Sequence, residues 1–564
     1  MLASIVWPAA LTGVVAAFVA TIGFNPTDEG LVLTYGYRIL HGQVPHLDFI
    51  SPRPIGSSVL HLIDFLVPGP LLLTSRLIAL TEITATALLF GALVFRRAPA
   101  RWNVWQIALV AIAFVVDLHT FPLMAWYTID GILLSLGGLV LVRAEGAGTR
   151  RRWLGLLLCG VALTTKQSFF FAPVAATFIV AWPCLRIGGG VFVRRFISSA
   201  LISAIPGVVM VGVLLALGAG PAMRTQLLNA GQVDWLAVLG PSAFWAIPLV
   251  GAVVVALLVE RLTRKTQTSV VAAARRVSPL LLVAAAVVIL IGGGLSIDGD
   301  WGNRLVIVLL AYVAVSAALT RRRDVDAELV LVIAWMASLS WGYAVADLAA
   351  GGIVLTIAWR AWTLVGTHVR FDARTRAVLG ASALVVALVA VVWGVHARQT
   401  DVYRDQPAAQ LTANLSTVAP GLAGLMSTPM TLRYLDDLQA CVREHPATSV
   451  AVLPDNPSLY MLMGWHDPFP IDWMLPGDSA GSEARLVQSA RTLNAKGDYL
   501  VLFETFPVSE LAALTPASYT ALAAEVAANP DMKLPYTTGV LQQIRDQFTG
   551  GSFACATFIA VYEH

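Results

Sequence analysis

Charge is scarce in this chain. Asp, Glu, Lys and Arg make up 13% of its 564 residues, 57% are hydrophobic, and the mean hydropathy is +0.75. That composition excludes a soluble enzyme. Lysine is nearly absent: Lys166, Lys265, Lys496 and Lys533 are all there are, so the positive charge is almost entirely arginine. With so much Ala, Val and Gly, this points to a GC-rich bacterial genome. Cysteine is scarce too. Cys159 and Cys184 lie in apolar segments, Cys441 and Cys555 near the C-terminal end, and no Cys/His spacing suits a metal. The opening "MLASIVWPAALTGVVAAFVATIGF" has no basic stretch ahead of its apolar run, so it reads as a retained helix rather than a cleaved signal.

Apolar runs of roughly 17–25 residues, the length that crosses a bilayer as helix, recur over the first 395 positions. They fall at about 3–23, 71–95, 104–121, 126–143, 153–164, 168–186, 196–219, 242–260, 278–296, 303–320, 328–345, 347–365 and 377–395. The chain therefore reads as a polytopic α-helical membrane protein with about 11–13 transmembrane helices. Its connections alternate. "RRAPAR" (96–101), "RAEGAGTRRR" (143–152), "RIGGGVFVRR" (186–195), "ERLTRKTQ" (260–267), "RRRDVDAE" (321–328) and "RAWTLVGTHVRFDARTR" (360–376) are arginine-rich. "NPTDEG", "VDLHT", "LNAGQVDW", "SIDGDWGNR" and "VADLAAGG" are acidic or mixed. The positive-inside rule puts the first set and the N-terminus in the cytoplasm of a bacterial plasma membrane, and the second set outside.

The character changes after residue 395. "VAVLPDN" (450–456), "DYLVLF" (498–503) and "ATFIAVYEH" (556–564) read as strands, and 429–445 and 507–530 as helical stretches. Residues 1–395 thus form the membrane domain and 396–564 an exterior α/β domain. Cys441 and Cys555 either pair in that oxidising space or stay as two buried thiols. Aromatic residues interleave with acids over 453–478, a pattern that suits sugar stacking or docking on the membrane domain.

Three carboxylates, Asp28, Glu29 and Asp48, crowd the stretch "GFNPTDEGLVLTYGYRILHGQVPHLDF" (23–49) just past the first apolar run. By periodicity its middle is an amphipathic helix lying along the interface, with Leu31, Tyr35 and Ile39 on one face and Arg38 and His41 on another. Next comes "SPRPIG", where Pro52 and Pro54 break any helix around Arg53. The bland reading is a solvated loop whose acids cap helix N-termini. The order of these parts resembles the GT-C superfamily of integral-membrane glycosyltransferases, in particular the branch of protein O-mannosyltransferases and the lipid A aminoarabinose transferase. Those proteins carry an Asp-Glu pair in the first external loop, two juxtamembrane helices, and a basic residue beside proline. Asp28-Glu29, "GYRILHGQVPHLDF" and "SPRPIG" match in that order, with arginine where the family often has lysine. "GVALTTKQSFFFAPVA" (160–175) is similar to a Lys-Gln segment of bacterial members.

The resemblance implies a transferase that moves a hexosyl or pentosyl group from a polyprenyl-phosphate donor to a glycan, glycolipid or protein of the cell envelope, with inversion. Its partners would be those substrates and membrane lipids, with no nucleic acid. On that reading Asp28 is the base, and Glu29 orients it, binds the acceptor or holds a divalent cation, the one cofactor left open. Arg53, Lys166 and Arg304 are donor-phosphate ligands, since Arg holds phosphate with a planar fork and Lys as a point charge. His46, Asp48, Gln167 and Tyr35 would contact acceptor or sugar. Asp117 and His119 in "VVDLHT" are a second candidate metal pair. Lys166 has a plainer reading, snorkelling to the interface. The competing functional classes are a transporter and a non-catalytic export or assembly protein for envelope polysaccharide.

Overall fold

The structure is a computed structural model that describes residues 3–229, 240–263, 269–320, 323–339, 346–366, 372–474, 477–534 and 539–564. Its first part is helical: α1 (Ala3–Val19), α2 (Leu31–Leu40), α3 (Gly56–Leu60), α4 (Leu71–Phe95), α5 (Val104–Leu118), α6 (Tyr127–Arg143), α7 (Thr149–Thr165) and α8 (Phe171–Ala181). It continues with α9 (Gly189–Ala216), α10 (Gly220–Asn229), α11 (Pro241–Thr263), α12 (Ser269–Gly293), α13 (Trp301–Thr320), α14 (Val325–Ser338), α15 (Ala350–Gly366) and α16 (Ala373–Thr400). Apart from the short α2, α3 and α10, each helix stands where the sequence has an apolar run. Six spans among the described residues are both long and apolar enough to cross a membrane: 71–95, 167–186, 189–216, 242–259, 301–318 and 373–400. Shorter apolar helices lie at 6–19, 104–118 and 281–293. Length separates the rest: α6, α7 and α15 have 17 residues each, the bottom of the spanning range of roughly 17–25. This is a multi-pass membrane protein.

The two ends of the bundle differ. Arg96 and Arg143 both bind Asp326 (2.8 and 2.7 Å), and Arg360 binds Asp324 at 2.5 Å, so four arginine-rich connections, 96–101, 143–152, 321–328 and 360–376, share one end. The first loop meets α4 at its other extremity, because Glu29 pairs with Arg76 in the second turn of that helix. Residues 264–267 of the 260–267 segment, 367–371 of the 360–376 segment, 321–322 of the 321–328 segment, the stretch 230–239 and the end of the 328–345 run lie outside the described residues.

The last part adds a small α/β unit: α17 (Pro429–Glu444), α18 (Pro457–Met463), α19 (Glu483–Lys496), α20 (Pro516–Ala528) and α21 (Gly539–Arg545). Strands β1 (Ala413–Asn414) and β2 (Met426–Ser427) pair with each other. Strands β3 (Ser449–Leu453), β4 (Tyr499–Glu504), β5 (Phe553–Cys555) and β6 (Phe558–Glu563) form a sheet of order β3-β4-β6-β5. Only β3 and β4 run parallel. Every residue of β3 and β4 is buried, which suits their unbroken apolar runs. Cys441 of α17 and Cys555 of β5 form a disulfide.

This unit is locked onto the first loop. Met426 exchanges backbone hydrogen bonds with Gly23 and Thr21 (2.9 and 2.8 Å), and Ile50 N–H donates to Pro470 O at 2.6 Å. Helix α2 keeps His41 exposed but does not leave Arg38 free. It is buried from Leu31 to Gly36, and Arg38 is buried against Asp467 and Asp472 at 2.7 and 2.8 Å. A helical periodicity shows that Arg38 leaves the apolar face, but the acids that cover it lie 429 and 434 residues away. Within the 453–478 segment, residues 467–472 therefore dock on the first loop.

Two outcomes follow. Arg38→Ala leaves two buried carboxylates without their cation, and loss of one partner of a buried ion pair costs about 3–5 kcal/mol. Thermal melts in detergent should drop, with proteolysis opening near 467–472. An unchanged melt would mean that docking does not depend on this cluster. Replacing Cys441 and Cys555 by Ser releases a loop of 114 residues' separation, about 4–5 kcal/mol in the chain-entropy account. Denaturant titration of the double variant measures it.

Candidate active site

The first loop is shaped by one guanidinium. Arg76 is buried and donates from Nε and Nη2 to the two oxygens of Glu29 (2.6 and 2.7 Å). Nη2 also donates to Gly23 O (2.6 Å), and Nη1 to Ala20 O and Ile22 O (2.8 and 3.2 Å). All its N–H groups are engaged. Glu29 is therefore placed as the anchor of the loop, with both oxygens occupied. The sequence carried a signal for Arg76, a lone arginine inside an apolar run, and the reading of 71–95 passed over it.

Asp28 has different partners from Glu29. It is buried, and its Oδ2 accepts from Tyr403 Oη (2.6 Å) and from Arg404 Nη1 (2.7 Å). Arg404 also donates to Thr27 Oγ1 at 2.6 Å. Asn25 Oδ1 accepts the Thr27 and Asp28 N–H groups at 3.0 and 3.3 Å, closing the turn. Gly30 then turns with φ +95, and a Cβ there would stand 2.6 Å from Ser458 Cβ. Only glycine permits both the left-handed turn and that approach of α18. Burial raises the Asp28 carboxyl above the ordinary carboxylate range, and Arg404, Tyr403 and Arg53 pull it back.

Arg53 and Lys166 come together. Arg53 stacks on Tyr127 and Trp126 of the α6 entry, its Cζ 4.8 and 5.5 Å from the ring centres. Lys166, between α7 and α8, donates from Nζ to Thr128 Oγ1 at 3.2 Å; burial, with the neighbouring Arg53 charge adding to it, holds its amine well below the ordinary lysine range, so an anion bound here would favour its charged form. Both are buried, and among the described residues neither has a carboxylate within ion-pair distance. Gln167 Nε2 donates to Pro52 O at 2.9 Å, and Ser51 Oγ to Arg53 O at 2.7 Å, which hold the Pro-Arg-Pro bend. A Cβ on Gly56 would meet the Thr164 carbonyl oxygen at 2.5 Å, so glycine lets this bend lie directly on α7.

The α/β unit supplies the remaining wall. Burial pushes Asp478 up to about 8, with Arg53 opposing and Asp28 adding to the rise. Asp455 is also pushed up to about 8, chiefly by burial, with Asp28 adding and Glu504 and Arg404 opposing. Each has a buried carboxylate oxygen without a hydrogen-bond partner. Sequence reasoning missed Asp455, Asp478, Tyr403 and Arg404, which lie over 370 residues from Asp28 and follow no motif.

The other predicted residues have different places. Tyr35 is buried against Phe49 (ring centres 5.2 Å apart), within electrostatic reach of Arg53 and Asp478. His46 Nδ1 meets Gln226 Oε1 at 2.8 Å, and Gln226 returns to His46 O at 2.9 Å, a clamp onto α10. Asp48 is exposed and accepts Val44 N–H at 2.6 Å, closing a turn. Arg304 is taken by Asp300 at 2.5 Å. Asp117 accepts Gly351 N–H, and His119 spends its Nδ1 lone pair on Phe121 N–H (both 2.8 Å). Among the described residues, the one set of three metal-ligating side chains with converging donors is His61, Glu82 and Asp130.

No family model matches the chain, and no curated protein matches it in sequence. Among solved structures it is similar to the apo-state crystal structure of ArnT from Cupriavidus metallidurans. The two share 12% identity and a TM-score of 0.40 over 99% of this chain and 97% of that one. At that distance a likeness transfers no function.

Arg404 sets up a pH test. A buried acid whose carboxyl is raised binds its proton more tightly folded than unfolded, so stability falls as pH rises between the two values. Without Arg404 the Asp28 carboxyl rises further, so Arg404→Gln should lose most stability relative to wild type at about pH 8 and regain part of it toward about pH 5. Melting temperatures of both proteins across that range decide it. A difference that does not vary with pH would show that Arg404 does not act through the Asp28 carboxylate.

Proposed function

We propose that this protein is an integral-membrane glycosyltransferase of the GT-C kind. It moves a hexosyl or pentosyl group from a polyprenyl-phosphate donor to a cell-envelope glycan, lipid or protein. The observation that carries this reading is the buried basic pair Arg53 and Lys166, which has no carboxylate within ion-pair distance among the described residues, with Arg53 in electrostatic reach of the Asp28 carboxylate. Buried basic groups without a direct counter-ion are costly, and a bound anion offsets that cost. A phosphate linked to an apolar carrier is the anion that a membrane bundle would receive at such a place. The arginine-rich end is the cytoplasmic one by the positive-inside rule, which puts the site and the α/β unit outside.

In the reaction, Asp28 takes the proton of an acceptor hydroxyl as its oxygen bonds to the anomeric carbon. The bond from that carbon to the phosphate oxygen breaks on the opposite face, which inverts the centre. Arg53 and Lys166 stabilise the charge that develops on the departing phosphate. A partly desolvated carboxylate is the better base, and burial of Asp28 supplies that. Its position at the end of the bundle suits surface chemistry, whereas a transporter concentrates charge near the midplane. Glu29, bound by Arg76, serves as the positioning residue for Asp28.

Asp28→Asn should reduce transfer by about 10²–10⁴ with donor binding retained, because the amide keeps the shape but accepts no proton. Arg53→Ala should weaken donor binding by about 1.5–3 kcal/mol, with transfer falling alongside. A synthetic polyprenyl-phosphate sugar serves for both measurements. Near-normal turnover by Asp28→Asn would remove Asp28 as the base.

A further inference from the structure

We propose that His61, Glu82 and Asp130 bind a divalent transition-metal ion of the zinc or manganese kind. His61 lies in the turn after α3, Glu82 on α4 and Asp130 in the first turn of α6, and one donor atom from each lies within 4.8 Å of the others. His61 and Asp130 are 2% and 1% exposed, and the cluster holds two orphaned oxygens, Oδ2 of Asp130 and Oε2 of Glu82. Buried carboxylate oxygens left without partners are rare and costly, and a cation among them removes the cost.

The imidazole is oriented for this role. Both oxygens of Asp64 lie beside His61 Nδ1, at 3.0 and 3.1 Å, so Nδ1 carries a proton and donates it there. Nε2 then faces Asp130 Oδ1 at 3.2 Å. A lone pair and a carboxylate oxygen that close repel each other unless a cation sits between them. Around a tetrahedral ion with bonds of about 2.0–2.1 Å, neighbouring donors stand about 3.3 Å apart. The order carboxylate, imidazole, metal is the common one for ligating histidines. A donor set of one nitrogen and carboxylate oxygens suits zinc or manganese. The rival cation is a proton, which would make His61 an imidazolium.

The ion would tie the end of the first loop to α4 and α6. The same first turn of α6 carries Tyr127 under Arg53 and Thr128 under Lys166, so the ion would also brace the platform of the two buried cations.

Metal content tests the proposal without reference to transfer, so it stands or falls apart from the enzymatic reading. Full-length protein in detergent is stripped with a chelator, dialysed against zinc or manganese, washed, and measured by plasma mass spectrometry. Wild type should retain about one ion per chain, and Asp130→Asn and Glu82→Gln should bind it at least about tenfold more weakly. Stripping should lower the melting temperature of wild type, and reloading should restore it. Should the variants fail to fold, this strip-and-reload cycle on wild type decides alone. Wild type that retains neither metal and melts identically throughout would overturn the site in favour of the imidazolium. Full retention by both folded variants would equally overturn it.

Discussion

The position of Asp28 depends on Arg76. A guanidinium inside an apolar helix needs counter-charge and acceptors, and Arg76 finds them all in residues 20–29. Two oxygens of Glu29 satisfy its charge, and the carbonyls of Ala20, Ile22 and Gly23, just past the end of α1, satisfy the rest. The peptide between these contacts has little freedom left. Asp28 is adjacent to Glu29 and so is held at the bundle's end, pointing where Tyr403 and Arg404 reach it. An adjacent acid pair thus divides its work: one carboxylate is neutralised to fix the backbone, and the other stays available.

The site is closed by a second body. Residues after α16 do not leave through a linker; Tyr403, Arg404 and Asp405 turn back at once into the first loop, where Asp405 accepts Phe24 N–H at 3.1 Å. Arg38 on the loop side and Asp467 and Asp472 on the other complete the lock. The acids around Asp28 thus come from both bodies, and among the described residues the basic groups without a carboxylate in ion-pair distance, Arg53 and Lys166, come from the membrane part. The electrostatics of the site follow from desolvation. Burial raises all three carboxyls, Asp28 against Arg404, Tyr403 and Arg53, and Asp455 and Asp478 to about 8 against Arg404 and Arg53 respectively.

Hydrophobicity and its period are local properties, so the sequence by itself determined what depends on them. Each of the thirteen apolar runs holds a helix, and "VAVLPDN", "DYLVLF" and "ATFIAVYEH" became three strands of one sheet. The first loop and the Pro-Arg-Pro bend were legible as an unusual acidic and basic pair of segments beside a membrane. Tertiary structure alone decided how they are used. It gave Arg38 to the α/β unit, Glu29 to Arg76 and Gln167 to a backbone carbonyl, and it left Arg53 and Lys166 unpaired among the described residues. It also brought Asp455, Asp478 and Arg404 to Asp28 and gathered His61, Glu82 and Asp130 from three separate elements. A charge shows in the sequence wherever it stands. Its partner is whichever opposite charge the fold brings within about 4 Å, and no local pattern encodes a contact made across hundreds of residues.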